Sequence, residues 1–150
     1  MESILRSKLK QGQFGGLSAQ RSKIMRSVKA RGNRSTELRF RAGLIRRGIV
    51  GWKIHPQNII GRPDFFFPSK RLVVFLDGCF WHGCQRCGHI PKNNRAFWHT
   101  KITRNCSRDI AITQQIEAEG ITVLRFWEHQ LKEDLSSCLR EIERYLTLKC

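Results

Sequence analysis

The stretch that decides the fold runs from residue 61 to residue 87 and reads GRPDFFFPSKRLVVFLDGCFWHGCQRC. It holds two apolar runs, residues 65–67 and 72–76, separated by a turn that begins at Pro68. Short apolar runs rich in Val and Phe and bounded by turn residues are typical of buried strands. The stretch therefore predicts two neighbouring strands joined as a hairpin, followed by a loop over residues 77–92 that is rich in Gly, Cys and His.

Helices are predicted on both sides of this hairpin. Upstream, Ser35 can cap a helix whose first turn holds Glu37, beside the positive helix end. Spacings of three and four give this helix an expected apolar face made of Leu38, Ala42, Ile45 and Ile49. Gly48 and Gly51 are expected to end it, and a short strand is expected within residues 52–60.

Downstream, the pattern predicts a long helix over residues 94–119, a strand over 121–126 and a final amphipathic helix over 134–146. Cys106 and Cys138 fall on helical patterns and are expected to be small core residues. Strands alternating with helices in this order predict an α/β protein with a mixed sheet flanked by helices.

Length and composition limit the possibilities. The chain has 150 residues, nine Phe and four Trp, which suits one domain with a sizeable core and excludes a disordered basic tail. We expect a flexible basic arm over residues 1–22 and a single domain over 23–150. No apolar run approaches the roughly 20 residues that span a bilayer, and no signal peptide is evident, so a cytoplasmic protein is expected.

The charge is large and uneven. The formal net charge is +16, of which +11 lies in residues 1–50, +5 in residues 51–100 and none in the last third. This far exceeds the magnitude of about 2–8 that solubility requires. A basic field of this size favours a polyanionic partner, and nucleic acid fits better than an acidic membrane because no stretch combines a basic face with a clean apolar one.

Two carboxylates flank the hairpin. Asp64 precedes the first strand and Asp77 follows the second, so antiparallel pairing would bring them together. Two such carboxylates can hold Mg²⁺, which prefers oxygen ligands. A turn residue and a loop cap are the alternative roles for the two acids.

Three cysteines, at positions 79, 84 and 87, fall within nine residues of a chain that has no secretion signal. This clustering favours metal binding over disulfides. A structural zinc site needs four thiolate or imidazole ligands, and His89, His129 or His82 could supply the fourth.

Aromatic pairs occur in the Cys-rich loop, at Phe80 and Trp81, and at the start of the long helix, at Phe97 and Trp98. Basic residues surround both pairs. Such pairs are ordinarily core residues, but beside this much positive charge they could also wedge between base pairs or stack on unpaired bases.

Four segments of the sequence resemble the very-short-patch repair endonucleases. They are residues 61–64, 77–84, 97–98 with Lys101 and Asn105, and 125–129. The resemblance is collinear over about residues 22–146. It implies a restriction-endonuclease-like fold with a structural zinc and Mg²⁺-dependent hydrolysis. The implied reaction is a nick in duplex DNA on the 5′ side of the thymine in a T:G mismatch, a lesion that arises when 5-methylcytosine deaminates.

The resemblance also implies residue roles. Asp64 matches the catalytic Mg²⁺-binding aspartate, His82 matches the histidine proposed as general base, and Glu37 matches an acidic residue near the metal. The implied zinc ligands are Cys79, Cys84, Cys87 and His129. The implied DNA contacts are Phe80, Trp81, Trp98, Lys101 and Asn105.

This chain departs from the family pattern at four positions. Leu76 and Asp77 stand where the pattern has a Thr-His pair, so we expect the Leu76 backbone carbonyl and the Asp77 carboxylate to serve as Mg²⁺ ligands. Cys79 replaces the lysine usual in restriction-type nucleases. The expected role of His82 as general base therefore becomes more important. Cys84 stands where some relatives have histidine, a conservative exchange of zinc ligands.

Two other functions remain open at this point: a sequence-specific restriction-type endonuclease on the same fold, and a non-catalytic zinc-containing DNA-binding module. The first would cut matched duplexes, and the second would show no Mg²⁺-dependent turnover. We further expect a monomeric, nucleoid-associated prokaryotic protein with a possible functional link to a cytosine-5 DNA methyltransferase.

Overall fold

The computed structural model describes residues 34–148, so the predicted basic arm over residues 1–22 lies outside the described residues. The elements are α1 (Arg34–Arg46), β1 (Lys53–Ile54), β2 (Phe65–Phe67), β3 (Leu72–Asp77), α2 (Arg95–Ala118), β4 (Thr122–Trp127), α3 (Glu128–Glu133) and α4 (Leu135–Thr147). A single 3₁₀ turn, Pro68–Lys70, joins β2 to β3. None of these helices is both long and apolar enough to cross a membrane.

The four strands form one mixed sheet in the order β1-β2-β3-β4. The first three strands pair antiparallel, and Phe65 lies opposite Val74 in the hairpin. The last pair is parallel, with Leu72 opposite Thr122 and Asp77 opposite Trp127. Helix α2 makes the crossover that a parallel pair requires. The predicted hairpin, mixed sheet and flanking helices are confirmed.

Side chains on β3 alternate between two apolar layers. Leu72 and Val74 face the larger core, which α1, α3 and α4 cover and in which Phe40 packs its ring 5.1 Å from Phe65. Val73 and Phe75 face the smaller core beneath α2. Both faces of β3 are therefore buried, as its continuous apolar sequence indicates.

The buried face of α1 differs from the prediction. Leu38 and Ile45 are 51% and 61% exposed, whereas Phe40 and Leu44 are fully buried. Gly43 also lies on the buried side, where an added Cβ would come 2.7 Å from a methyl group of Leu139 on α4. The prediction was wrong for Leu38, Ala42 and Ile45 but correct for Ile49, which is buried. Helix α4 packs against α1 at Gly43, where the missing side chain permits a close approach, so the side of α1 that carries Phe40 and Leu44 faces the core.

The ends of other elements also differ. Helix α1 ends at Arg46, and the strand expected within residues 52–60 is only Lys53–Ile54. Asp77 is the last residue of β3 and does not lie beyond it. Helix α3, which the sequence analysis did not anticipate, begins directly after β4 and carries His129 in its first turn.

Replacing Phe40 with alanine should lower the free energy of unfolding by about 3–5 kcal/mol, because a fully buried ring between β2 and β4 would leave a cavity. Leu38→Ala on the same helix is the matched control and should change stability by less than about 0.5 kcal/mol. Denaturant unfolding of both variants checks this, and equal losses would contradict the assignment of the buried face.

Candidate active site

A pocket opens where β3 ends beside α2. Its polar lining comes from β3, β4, α2 and two loops, so the tertiary fold brings these groups together. The polar side chains are Arg62, Asp64, Asp77, His82, Asp109 and Arg125. Apolar side chains of Phe75, Leu76 and Ile112 form the remaining wall. Buried charged groups gathered in a cleft are the usual mark of a catalytic site.

Asp64 is buried at the edge of this pocket. The antiparallel pairing of β2 with β3 sets it beside Leu76, whose backbone N–H donates to Asp64 Oδ2 over 2.7 Å. Burial raises the pKa of Asp64 to about 6, and the negative charge of Glu37 adds to the effect, although the Leu76 N–H opposes it. A carboxylate that is costly to ionise alone is one that a bound cation would stabilise.

Two further groups approach Asp64 from α1 and from the end of β1. Glu37 and His55 each place a potential ligand atom within 4.8 Å of the other and of an Asp64 oxygen. His55 Nε2 lies 3.0 Å from Glu37 Oε1. The donor set of two carboxylates and one imidazole fits a divalent cation, which would relieve the repulsion between the two acids.

His82 is oriented by α2. Its Nδ1 lies 2.5 Å from Asp109 Oδ2 and 3.8 Å from Asp77 Oδ1. Burial alone would lower the pKa of His82, but the hydrogen bond to Asp109 and the charges of Asp77 and Asp109 outweigh it and raise that pKa above its ordinary value. With Nδ1 bonded to a carboxylate, Nε2 is the nitrogen left to exchange a proton with a ligand.

Asp77 is held by Arg125 on the neighbouring strand. Arg125 Nε donates to Asp77 Oδ2 over 2.8 Å, and a terminal nitrogen donates to Asp77 Oδ1 over 3.2 Å. The same guanidinium bonds Thr113 and lies 3.4 Å from an oxygen of Asp109. Both Asp77 oxygens therefore have a cationic partner, and Asp77 is not among the donors gathered around Asp64. Its role as a Mg²⁺ ligand stays a prediction, as does that of the Leu76 carbonyl.

Four potential zinc ligands meet on the other side of the Cys-rich loop. The sulfurs of Cys79, Cys84 and Cys87 lie 3.3, 3.6 and 3.4 Å from His129 Nδ1. Cys84 Sγ and Cys87 Sγ are 3.5 Å apart. Zn–S bonds of about 2.3 Å and Zn–N bonds of about 2.0 Å at tetrahedral angles place such atoms about 3.6–3.8 Å apart. The four side chains fit zinc, with His129 rather than His89 in the fourth position.

The loop favours ionised sulfur at one position, Cys84, whereas the hydrogen bond with Cys79 and burial raise the pKa of the Cys87 thiol to about 12. Burial opposes ionisation of Cys84, but the backbone N–H groups of Cys87 and Arg86 donate to its sulfur and lower the pKa of that thiol below its ordinary value. Thiolate is the form that binds zinc. The remaining described cysteines, Cys106 and Cys138, lie outside this group, as their helical positions predict.

The aromatic residues of the loop pack with those of α2. Phe80 lies 5.1 Å from the ring of Trp81 and 5.3 Å from the ring of Trp98, both in edge-on geometry. Trp81 and Trp98 are buried, and Phe80 is half-buried. The Trp81 indole N–H has no acceptor within the part of the chain that the structure describes. The rings of Phe80, Trp81 and Trp98 therefore pack against one another as an aromatic cluster.

Polar groups from α2 lie against this aromatic cluster. Lys101 Nζ is 5.3 Å from the centre of the Trp81 ring and 5.7 Å from that of Trp98, which is within cation–π range. Asn105 Nδ2 donates to the Trp81 carbonyl oxygen over 3.0 Å. The five residues that the resemblance implies as DNA contacts are therefore neighbours in space, and their contact with DNA stays a prediction.

Comparisons with known proteins show which family this chain resembles. The family model for the DNA mismatch endonuclease Vsr matches residues 17–88. The type II nicking enzyme V.NmeDIP of Neisseria meningitidis serogroup C is 37% identical over 128 residues, which cover 83% of this chain and 84% of that protein. The DNA mismatch endonuclease Vsr of Escherichia coli is 34% identical over 116 residues, which cover 76% of this chain and 72% of that protein.

This chain belongs to the Vsr family. A third relative, the type II nicking enzyme V.NmeAIP of N. meningitidis serogroup A, is 40% identical over 100 residues, which cover 61% of this chain and 71% of that protein. The family resemblance stated from the sequence motifs is confirmed, and so is the restriction-endonuclease-like fold. The chain is a DNA endonuclease, a hydrolase of phosphodiester bonds.

Three residues of this candidate site were assigned no role from the sequence: His55, Asp109 and Arg125. Asp109 is the only acid in residues 101–116, and Arg125 interrupts an otherwise apolar strand sequence. A charge inside a buried strand requires a partner, so this pattern could have revealed the pair formed by Asp77 and Arg125. No comparable sequence signal marks His55.

Cys84→Ser should lower both the zinc content and the thermal stability of the enzyme, because hydroxyl is a poor zinc ligand and metal binding contributes to folding free energy. Metal analysis of the purified protein, with a thermal melt of the same sample, checks this. Cys106→Ser is the control and should keep one zinc per chain, since Cys106 Sγ only donates to the His82 carbonyl. A full zinc complement in Cys84→Ser would remove Cys84 from the ligand set.

Proposed function

We propose that this enzyme nicks double-stranded DNA on the 5′ side of the thymine in a T:G mismatch, by Mg²⁺-dependent phosphodiester hydrolysis. One observation carries the proposal. A buried carboxylate with cation-compatible neighbours, Asp64, shares a pocket with a histidine that Asp109 orients. The printed names of the relatives, nicking enzymes and a mismatch endonuclease, support cleavage of one strand.

The cation would be held by Asp64, with Glu37 as the second acid of the site. When bound, Mg²⁺ supplies stabilisation of the negative charge that develops on the phosphate and the leaving oxygen. The Leu76 N–H fixes one Asp64 oxygen by hydrogen bonding, so the carboxylate cannot rotate freely. The other Asp64 oxygen would then be the one that binds the cation.

His82 would take the proton from the attacking water. Asp109 accepts the Nδ1 proton and so holds the imidazole in the tautomer whose Nε2 is a base. Arg125 in turn forms ion pairs with both Asp109 and Asp77, so its positive charge offsets the repulsion between the two acids. Asp109 and Arg125 act through His82 and are positioning residues.

Mismatch selectivity would come from the aromatic cluster of Phe80, Trp81 and Trp98. Inserting an aromatic side chain between base pairs costs a few kcal/mol of stacking, and less at a mismatched step. The half-buried ring of Phe80 is the outermost of the three and would enter first. The Trp81 N–H, which has no acceptor among residues 34–148, and the Lys101 ammonium over the Trp81 ring are potential hydrogen-bond donors to the bases.

The basic first two thirds of the chain would bind the DNA backbone. A net charge of +16 predicts binding that weakens steeply as salt rises. Because T:G mismatches arise from deaminated 5-methylcytosine, we propose a functional link to a cytosine-5 DNA methyltransferase and action as a nucleoid-associated monomer. The expected single domain over residues 23–150 belongs to the same proposal.

The function is tested with two labelled duplexes that differ only in carrying T:G or C:G at one position, each incubated with the enzyme and Mg²⁺. We expect a single nick 5′ of the thymine in the T:G duplex alone. Asp64→Asn keeps an acceptor for the Leu76 N–H but removes the charge that would bind the cation. It should slow nicking by about a thousandfold while leaving DNA binding nearly unchanged.

Cleavage of both duplexes at one sequence would instead establish the restriction-type alternative. Undiminished cleavage by Asp64→Asn would eliminate the metal assignment.

A further inference from the structure

The cluster of Glu37, His55 and Asp64 contains one residue that no sequence motif assigned. His55 follows β1 and reaches Glu37 on α1, with 3.0 Å between His55 Nε2 and Glu37 Oε1. All three potential ligand atoms lie within 4.8 Å of one another. Two adjacent ligands of an octahedral cation with bonds of about 2.1 Å lie about 3.0 Å apart, so the His55–Glu37 pair already has the spacing of one edge of such a site.

The backbone holds His55 in this place. Its N–H donates to the Asp64 carbonyl oxygen over 3.2 Å, just beyond the pairing of Ile54 with Phe65. His55 also has a φ of 45°, in the left-handed region that is uncommon for residues other than glycine. The conformation that turns this imidazole toward Glu37 is therefore fixed by the same strand pairing that positions Asp64.

We propose that His55 is a direct ligand of the cation that Asp64 and Glu37 bind, and that its imidazole makes this site select Mn²⁺ over Mg²⁺. This inference rests on one part of the proposed function, namely that Asp64 binds the cation.

The chemistry of the donor set supports this selection. Carboxylates suit both Mg²⁺ and Mn²⁺, whereas imidazole nitrogen binds first-row transition ions better than it binds Mg²⁺. His55 Nε2 must be unprotonated to bind, with its proton on Nδ1. The side chain is 45% exposed, so a cation can reach Nε2 from solvent.

A purely structural role is the competing explanation, in which His55 and Glu37 form only an ion pair between β1 and α1. His55→Gln separates the two roles, because the glutamine amide can still donate a hydrogen bond to Glu37 but offers no imidazole nitrogen. His55→Asn is the second variant, since asparagine tolerates the left-handed backbone well. His99→Gln, at an exposed position on α2 outside the cluster, is the matched control.

The experiment measures cation binding to the full zinc-loaded chain without DNA. Free Mn²⁺ is followed by electron paramagnetic resonance, and Mg²⁺ affinity is measured by competition. Pulsed resonance of the bound Mn²⁺ then detects coupling to a directly coordinated nitrogen. We expect wild type and His99→Gln to show nitrogen coupling. His55→Gln should lose it, bind Mn²⁺ about tenfold more weakly, and change its Mg²⁺ affinity less than twofold.

Absence of nitrogen coupling in wild type, or a His55→Gln variant whose Mn²⁺ and Mg²⁺ affinities change equally, would overturn the proposal. Asp64→Asn should weaken both cations, and unchanged binding in that variant would also overturn it. Since no DNA is present, the outcome is independent of mismatch specificity. An enzyme that fails to nick T:G duplexes but shows the nitrogen coupling would refute the proposed function alone.

Discussion

The parallel pairing of β3 with β4 is the constraint on which both candidate sites depend. Its register sets Phe75 opposite Arg125 and Asp77 opposite Trp127. Two residues beyond that last pair, His129 reaches the sulfurs of the Cys-rich loop, which itself begins where β3 ends. One strand pair thus delivers Arg125 to the pocket and His129 to the metal site. A slip of one residue would exchange the two faces of β4 and remove both groups.

Within the pocket, the buried charges are tolerated because each has a partner. Arg125 lies over the ring of Phe75, 4.3 Å from its centre, and bonds both oxygens of Asp77. Removing one partner from a buried pair typically costs about 3–5 kcal/mol, far more than the pair itself contributes. The pair of Asp77 and Arg125 therefore serves mainly to make two buried charges compatible with folding.

The sequence was sufficient for the architecture and for much of the candidate site. The apolar runs of β2 and β3, the helical spacing of α2 and the clustered cysteines are local signals. Each depends only on residues that are close together in the sequence, so each can be recognised without the structure. The same holds for the motif residues Asp64 and His82. The buried face of α1 was mispredicted because Phe40 and Gly43 are buried for reasons of shape, which depend on the partner helix.

His55 and Asp109 acquire their roles from residues distant in the chain, and the sequence pattern marks Arg125 only as a charge that needs some partner. Arg125 pairs with a residue 48 positions away, and His82 with one 27 positions away. These contacts exist only once the sheet has formed and α2 has crossed over it. His129 occupies an intermediate position, since spacing left it one of three candidate ligands and only the family resemblance favoured it.

We infer that zinc binding by the Cys-rich loop and assembly of the active site are one event, because Cys79 and Cys84 flank His82. The most direct measurement adds zinc stepwise to metal-free protein and follows zinc content and nicking rate on the same samples, at constant Mg²⁺. We expect the nicking rate to rise in proportion to bound zinc and to reach its maximum at one zinc per chain. Full nicking by the zinc-free protein would contradict it.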